Sequence, residues 1–192
     1  PEEISEKGMG AFEAVFRGSA HPARLVVLDS DPDSTISEPP LLYVGKGVTF
    51  DTGAISIKPS ANREKMKGDM GGAAAVLGFF KTLGELESLR KQRRIVGVIP
   101  LTDNMPDGNA IKPGDVATTL SGKTVEIINT DAEGRLILCD AITYGLEKEP
   151  ALVVDMATLT GACVVALGGK VAGVFSNRDQ LPDAIKPFGR DI

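Results

Sequence analysis

The segment NTDAEGRL, residues 129–136, lies where a strand pattern gives way to a helix pattern. The apolar run Val125–Ile128 before it is typical of a buried strand, and Gly134–Leu146 behind it has helical spacing. A strand that runs into a helix is one half of an α/β unit. Ligands of such sheets collect at the carboxyl ends of the strands, so the acidic residues of this segment are the first candidates for a functional site.

Residues two apart in an extended segment point the same way, so Asp131, Glu133 and Arg135 are predicted to share one face. Taken alone, a cation beside two carboxylates is commonly an ion pair. The segment indicates a catalytic or metal-binding site only if further charged residues elsewhere in the chain lie close to it.

Further short runs rich in Val, Ile or Leu predict strands. They are Arg24–Leu28, Leu41–Gly45, Ile95–Leu101 and Leu152–Asp155. A second helix is predicted over Met70–Leu89, and surface loops over Asp29–Pro40 and Thr102–Thr119. The alternation predicts an α/β fold with a mixed, mostly parallel β-sheet flanked by helices.

The composition excludes several function classes. With 192 residues, 42% of them apolar, a net charge of −5 and a pI near 5.0, the chain is typical of one compact globular domain and offers no basic surface for nucleic acid or membrane. The basic run Arg90–Arg94 is interpreted as the solvated end of a helix. No apolar stretch is long enough to span a membrane, and Pro1-Glu2-Glu3 does not start a signal peptide, so a soluble protein is expected. Two cysteines that form no disulfide framework are typical of a reducing compartment, and the cytoplasm is the expected one.

Cysteine and histidine are scarce, which limits the kinds of metal site that are possible. Cys139 and Cys163 are expected to be free, buried thiols, and His21 is the one histidine. Any metal site must therefore be built mostly from carboxylates.

A second group of charged residues lies upstream. Lys46 is flanked by glycines, Asp51 follows five residues later, Lys58 comes next, and Asp69 precedes a run of small residues that allows tight packing. Taken singly, Asp69 is explained by a helix cap and the two lysines by surface cations.

The joint charge of the candidates is more informative. If Asp51, Asp69, Asp131 and Glu133 converge, two divalent cations would neutralise them, whereas clustering without a metal would cost repulsion or force protonation. A two-metal site is the natural balance.

At this point the residues resemble the leucine aminopeptidase family, the cytosolic-type metallopeptidases. The octapeptide at 129–136 is that family's signature. Four other blocks resemble the family in the same order: VGKGVTFDTG at 44–53, MKGDMGGAAAV at 66–76, NMPDGNAIKPGD at 104–115 and VDMATLTGA at 154–162. The resemblance implies the phosphorylase/hydrolase-like fold of two-metal exopeptidases.

The resemblance also implies roles by position. Two divalent metals, zinc or manganese with magnesium or cobalt as alternatives, would be bound by Lys46, Asp51, Asp69, Asp131 and Glu133. Lys46 would have to bind as an uncharged amine. Lys58 and Arg135 would be catalytic, with a bicarbonate ion held by Arg135, and Met66, Thr158 and Gly161 would contact the substrate.

The implied activity is removal of N-terminal amino acids, with a leucine-type preference, from peptides with a free N-terminus, by a hydroxide that bridges the two metals. The family forms hexamers. The chain is expected to be a portion of the catalytic domain, 1–192, without the family's N-terminal domain and the C-terminal part of the catalytic domain. A catalytically weak or inactive fragment with an assembly or binding role is the alternative. One departure is Asp51-Thr52-Gly53-Ala54, where the family usually has Asp-Ser-Gly-Gly.

Overall fold

A computed structural model describes residues 1–33 and 35–189. In that part of the chain the strands are β1 Arg24–Asp29, β2 Leu41–Gly45, β3 Gly47–Asp51, β4 Ile95–Asn104, β5 Asp115–Thr118, β6 Thr124–Ile127 and β7 Leu152–Met156. The α-helices are α1 Glu2–Glu6, α2 Gly10–Phe16, α3 Gly71–Glu85, α4 Glu87–Arg90, α5 Glu133–Leu146, α6 Gly161–Leu167 and α7 Gln180–Ile185. Two 3-10 helices cover Arg63–Gly68 and Lys186–Gly189.

The main sheet confirms the predicted mixed, mostly parallel α/β fold. Its strand order is β1-β4-β2-β7, and β3 pairs with the far half of β4. β2 is parallel to β4 and β7, β3 is parallel to β4, and β1 alone runs antiparallel to β4. The carboxyl ends of four strands therefore point to one edge of the sheet, which is where a ligand site is expected. β5 and β6 form a separate antiparallel pair. The prediction of a buried strand at Val125–Ile128 was therefore wrong in part: the strand exists as β6, but it lies outside the main sheet and only Ile127 in it is buried.

The two faces of the sheet are covered by different helices. Alternate residues of β2 and β4, such as Leu42 and Val98, pack with Phe12 of α2 and Ile137 of α5 on one face. On the other face, Ile99 packs with Ala73 and Val76 of α3. Helices on both faces bury nearly all of β4 and three of the five residues of β2, which explains why those strands are nearly all apolar in sequence.

A buried carboxylate joins helix α5 to the rest of that face. Asp140 is fully buried and accepts hydrogen bonds from the backbone N–H of Phe12 at 2.9 Å and of Leu120 at 2.8 Å. It therefore fixes α2 and the β5–β6 turn against α5.

Several predicted boundaries were wrong. β3 was not predicted, because the glycine-flanked lysine before it looks like the end of a strand, whereas the chain continues as a new strand after one residue. The predicted loop Thr102–Thr119 is shorter, since β4 runs to Asn104 and β5 begins at Asp115. The predicted helix Met70–Leu89 is interrupted at Leu86, which separates α3 from α4.

Residues 160–189 belong to a second compact unit that begins at Thr160, while residues up to Leu159 form the first. Within the second unit Thr160 caps α6, its hydroxyl accepting a hydrogen bond from the N–H of Ala162 at 3.0 Å. Val165 and Phe175 are 90% and 93% exposed there, so the unit presents apolar side chains to solvent.

No helix in the described ranges is both long and apolar enough to pass through a membrane.

Both cysteines are free, as predicted, but each is half-buried instead of buried. For Cys139, burial and the neighbouring Asp140 carboxylate raise the pKa of the thiol to about 12. Both causes oppose formation of the thiolate, which is the reactive form.

We expect Cys139 to resist alkylation across the ordinary pH range. With a pKa near 12, about one molecule in ten thousand carries the thiolate at pH 8, against roughly a quarter for an ordinary thiol. Iodoacetamide labelling of a Cys163→Ser variant from pH 7 to pH 10 measures this. The rate should show no inflection near pH 8.5 in the folded chain and should show one in guanidinium. An inflection in the folded chain would contradict the assignment.

Candidate metal centre

The site forms beyond the carboxyl ends of β2, β3, β4 and β7, where α3 and α5 begin. At Lys46 the chain passes from β2 to β3, its backbone N–H donating to Met156 O and its C=O accepting from Ala73 N–H, both at 2.9 Å. Helix α3 comes this close because Gly72 has no side chain: a Cβ there would lie 1.9 Å from Met156 O. The predicted tight packing of the small-residue helix is confirmed.

The side chain of Lys46 is buried, with 2% exposed, and bridges two carboxylates. Its Nζ lies 2.8 Å from both oxygens of Asp69 and 2.8 Å from Glu133 Oε1, and it donates to Thr158 O at 3.1 Å. The Thr158 hydroxyl donates to Asp69 Oδ1 at 2.7 Å. A charged ammonium is thus almost completely surrounded by acceptors.

Burial and charge act in opposite directions on this group. Burial alone would lower the pKa of Lys46, but the carboxylates of Glu133 and Asp69 together outweigh burial and raise it. Burial also raises the pKa of Glu133 to about 7, against the lowering effect of Lys46. Lys46 is therefore a cation in this structure, and binding to a metal as an amine would require loss of its proton.

A second lysine bridges the other two candidate carboxylates. Lys58 Nζ lies 2.8 Å from Asp51 Oδ2 and contacts Asp131 Oδ1 at short range. Burial lowers the pKa of Lys58, but hydrogen bonds to Asp131 and Asp51 more than compensate and raise it. The four carboxylates thus form two pairs, each joined by one ammonium group.

The arrangement fits a bound cation. Asp51, Asp69 and Glu133 are buried, and one oxygen from each lies within 4.8 Å of the others. Among the described residues, Glu133 Oε2 has no hydrogen-bond partner, and Asp69 Oδ2 contacts the Lys46 ammonium without making a hydrogen bond. Buried carboxylate oxygens without donors are costly in an apolar interior, and they are also the atoms that divalent cations bind.

The helix-cap alternative for Asp69 is wrong, because α3 has no side-chain cap and the Asp69 carboxylate is engaged by Lys46 and Thr158. One local prediction was also wrong. Asp131, Glu133 and Arg135 do not share one face, since α5 already begins at Glu133. Glu133 points into the interior while Arg135 is exposed.

The other predicted site residues are Met66, Thr158, Gly161 and Arg135. Met66 is half-buried in the 3-10 helix that precedes Asp69, and Thr158 contacts Asp69 directly. Gly161 belongs to the unit that begins at Thr160. The charged residues Lys46, Asp51, Lys58, Asp69, Asp131 and Glu133 are the ones that the structure brings together.

Two uncharged residues of the site were not predicted. Asn104 donates its side-chain amide to Asp51 Oδ1 at 2.9 Å and to Thr130 O at 3.1 Å. Thr130 donates its hydroxyl to Gly53 O at 2.6 Å. Both residues lie in sequence blocks that resemble the family, at 104–115 and 129–136, and this could have indicated them. They were missed because the candidate residues were selected by charge, and both side chains are neutral.

The departure at Ala54 has a conformational cost. Ala54 has φ 53°, in the left-handed region where glycine is free of strain and other residues are not. Ala54 lies in the loop that follows Asp51 at the end of β3.

Comparison with known proteins supports one family. The model of the cytosol aminopeptidase family, catalytic domain, matches residues 1–192. The probable cytosol aminopeptidase of Nitratidesulfovibrio vulgaris is 59% identical over 192 residues, which are 100% of this chain and 37% of that protein. That of Oleidesulfovibrio alaskensis is 56% identical over 198 residues, covering 100% of this chain and 38% of the relative.

Solved structures give the same result. The leucine aminopeptidase of Caenorhabditis elegans has a TM-score of 0.88 at 38% identity, over 98% of this chain and 38% of its own. The leucyl aminopeptidase of Leishmania major, solved in complex with actinonin, has a TM-score of 0.85 at 36% identity, over 93% and 35%. The chain spans little more than a third of the length of these relatives.

We expect Gly134→Ala to disturb the cluster through a clash with the side chain of Lys46. A Cβ at Gly134 would lie 2.7 Å from Lys46 Cε and 3.0 Å from Lys46 Nζ, whose position is fixed by Asp69 and Glu133. Overpacking here should lower the free energy of unfolding by about 1–3 kcal/mol.

The matched control is Gly78→Ala, also in a helix but with nothing within 4 Å of the added Cβ. It should raise stability by about 1 kcal/mol through helix propensity. Urea denaturation of both variants measures the difference, and equal effects would contradict the close packing of Gly134 on Lys46.

Lys46→Met should leave two buried carboxylates without their cation. With metal removed by a chelator at pH 8, the loss of unfolding free energy should be about 3–5 kcal/mol. Because the pKa of Glu133 is raised to about 7, its carboxyl is protonated at pH 5 and needs the ammonium less, so the loss should shrink as the pH falls below 7. Exposed Lys81→Met is the control, with an expected change below about 0.5 kcal/mol. A loss independent of pH would contradict the role of Glu133.

Proposed function

The chain belongs to the cytosol aminopeptidase family, and from this premise we propose that it acts as a metal-dependent aminopeptidase that removes N-terminal amino acids, with a leucine-type preference, from peptides. The observation that supports it best is the convergence of Asp51, Asp69 and Glu133, buried and within 4.8 Å of one another. Since the chain spans about 37% of its relatives, the activity proposed is that of the family's catalytic domain, of which residues 1–192 would be a portion.

The residues that would hold two divalent ions are Lys46, Asp51, Asp69, Asp131 and Glu133. Oxygen-rich ligation suits zinc or manganese, with magnesium or cobalt also acceptable. When bound, such ions polarise a peptide carbonyl and lower the pKa of water, which supplies the nucleophile for hydrolysis. Capture of a free α-amine at the same centre would restrict the reaction to the first residue of a peptide.

Lys58 would stabilise the negative charge that develops on the scissile carbonyl oxygen. Its contacts with Asp51 and Asp131 raise its pKa and keep it charged at neutral pH. An ammonium held in place by two carboxylates needs little reorganisation when charge appears nearby. It is also 22% exposed on its side chain, so a substrate can reach it.

Arg135 would hold a bicarbonate ion that carries the proton. Its guanidinium is exposed, and its planar fork suits a small oxyanion, whereas it is too weak an acid to serve as a base itself. Met66, Thr158 and Gly161 would contact the substrate side chain or backbone. Thr158 already lies beside Asp69, with its hydroxyl 2.7 Å from the carboxylate.

The remaining parts of the proposal follow the family. Peptides with a free N-terminus would be the partners, and a homo-hexamer would be the assembly. The cytoplasm would be the compartment, in keeping with the relatives named cytosol aminopeptidases.

Hydrolysis of L-leucine p-nitroanilide tests the proposal. Activity should be lost after chelation and return with Mn²⁺ or Zn²⁺, and Asp131→Asn should abolish metal binding because it removes a ligand charge and a Lys58 partner. Asp33→Asn, at an exposed loop position, is the matched control and should behave as the parent. A folded protein without a metal-dependent rate would favour an inactive member with an assembly or binding role, and a variant at Asp131 that keeps both metals would refute its assignment as a ligand.

A further inference from the structure

Asn104 is the last residue of β4 and one of the most deeply buried polar residues of the site, with 1% exposed. Its backbone C=O accepts from the N–H of Thr52 at 3.0 Å and from the hydroxyl of Thr52 at 2.8 Å. Its side-chain amide donates to Asp51 Oδ1 and to Thr130 O. Both hydrogens of a buried amide are thus used, and each goes to a different segment of the site.

The hydrogen bond from Asn104 gives the two oxygens of the Asp51 carboxylate different partners. Oδ1 accepts from Asn104 Nδ2 and from the N–H of Gly53, both at 2.9 Å, while Oδ2 faces Lys58 Nζ at 2.8 Å. Two neutral donors on one oxygen fix the rotation of the carboxylate and leave the other oxygen to charged partners. Unlike Lys58, an amide carries no charge that would repel an arriving cation.

The second hydrogen bond of Asn104, to Thr130 O, holds the segment that carries two further predicted ligands, Asp131 and Glu133. Thr130 O belongs to the turn before α5, which bears Asp131 and Glu133. The same turn is tied to the loop after Asp51 by Thr130 and Ser56, whose hydroxyls each accept the other's backbone N–H, at 2.8 Å and 3.1 Å. Asn104 therefore lies between the two carboxylate-bearing segments, and its side chain is hydrogen-bonded to both.

We propose that Asn104 is a positioning residue of the metal centre: it orients Asp51 for metal binding and holds the 129–132 turn at the matching distance. The inference rests on the proposed function for its metal, but the geometry of Asp51 that it predicts is a property of the metal-free chain as well. Groups behind the ligands of a metal site commonly change affinity by about 10–100-fold when removed.

The test uses Asn104→Leu, which keeps a similar side-chain volume and removes both N–H donors without adding charge, and Asn104→Ala, which removes them together with most of the side chain. Asn109→Ala, at an exposed position, is the control. Mn²⁺ binding is measured by calorimetry on folded protein, with far-UV circular dichroism to verify the fold. Crystal structures of the metal-free parent and variants give the orientation of the Asp51 carboxylate.

We expect the Asn104 variants to bind Mn²⁺ about 10–100-fold more weakly, with the Asp51 carboxylate rotated in the metal-free crystals and the Asn109 variant unchanged. If one Asn104 variant fails to fold, the Mn²⁺ affinity and Asp51 orientation of the other variant test the proposal. An unrotated Asp51, or an affinity within about twofold of the parent, would overturn the proposal even if stability fell. A parent that binds no Mn²⁺ would refute the proposed metal function, while the metal-free orientation of Asp51 would still decide the role of Asn104.

Discussion

The ammonium group of Lys46 lies in the interior, 2.8 Å from oxygens of Asp69 and Glu133, at the point where the chain leaves β2 and enters β3. Its backbone bonds to β7 and α3, and its side chain bonds to the first residue of α5. An unpaired charge at such a position would cost several kcal/mol, so the carboxylates and the sheet must come together around it. The missing side chains of Gly72 and Gly134 leave the space in which this happens.

The two lysines change the charge balance that the carboxylates alone suggest. Four carboxylates and two ammonium groups leave two negative charges, and the pKa of Glu133, raised to about 7, lets a proton offset part of the remainder. The two ammonium groups and this proton offset part of the repulsion expected among the four carboxylates. One divalent cation would neutralise it with both lysines charged, and a second would fit best once Lys46 has given up its proton.

Most strands of the sheet were predictable from the sequence because buried strands are apolar runs. The six charged residues that converge were singled out by the sequence blocks shared with the family, since charge alone left ion pairs and surface cations as explanations. The strand β3 was not predictable, since it follows β2 after a single residue and tertiary pairing with β4 overrides its glycine signal. The direction of Glu133 and Arg135 was wrong because it depends on where α5 begins, and a boundary error of one residue changes the periodicity from two to 3.6. Asn104 escaped prediction because its importance lies in its two acceptors, which only the folded chain brings near.

The contacts of the cluster join residues that are far apart in sequence, which affects the order in which they form during folding. Lys46 meets Asp69 across 23 positions of sequence, Lys58 meets Asp131 across 73, and Lys46 meets Thr158 across 112. Contacts of such high sequence separation form late, because the intervening loops must close first. The hydrogen-bonded cluster draws on residues from Lys46 to Thr158, so no short fragment of the chain contains it. The cluster can be complete only after β7, which precedes Thr158, has been synthesised.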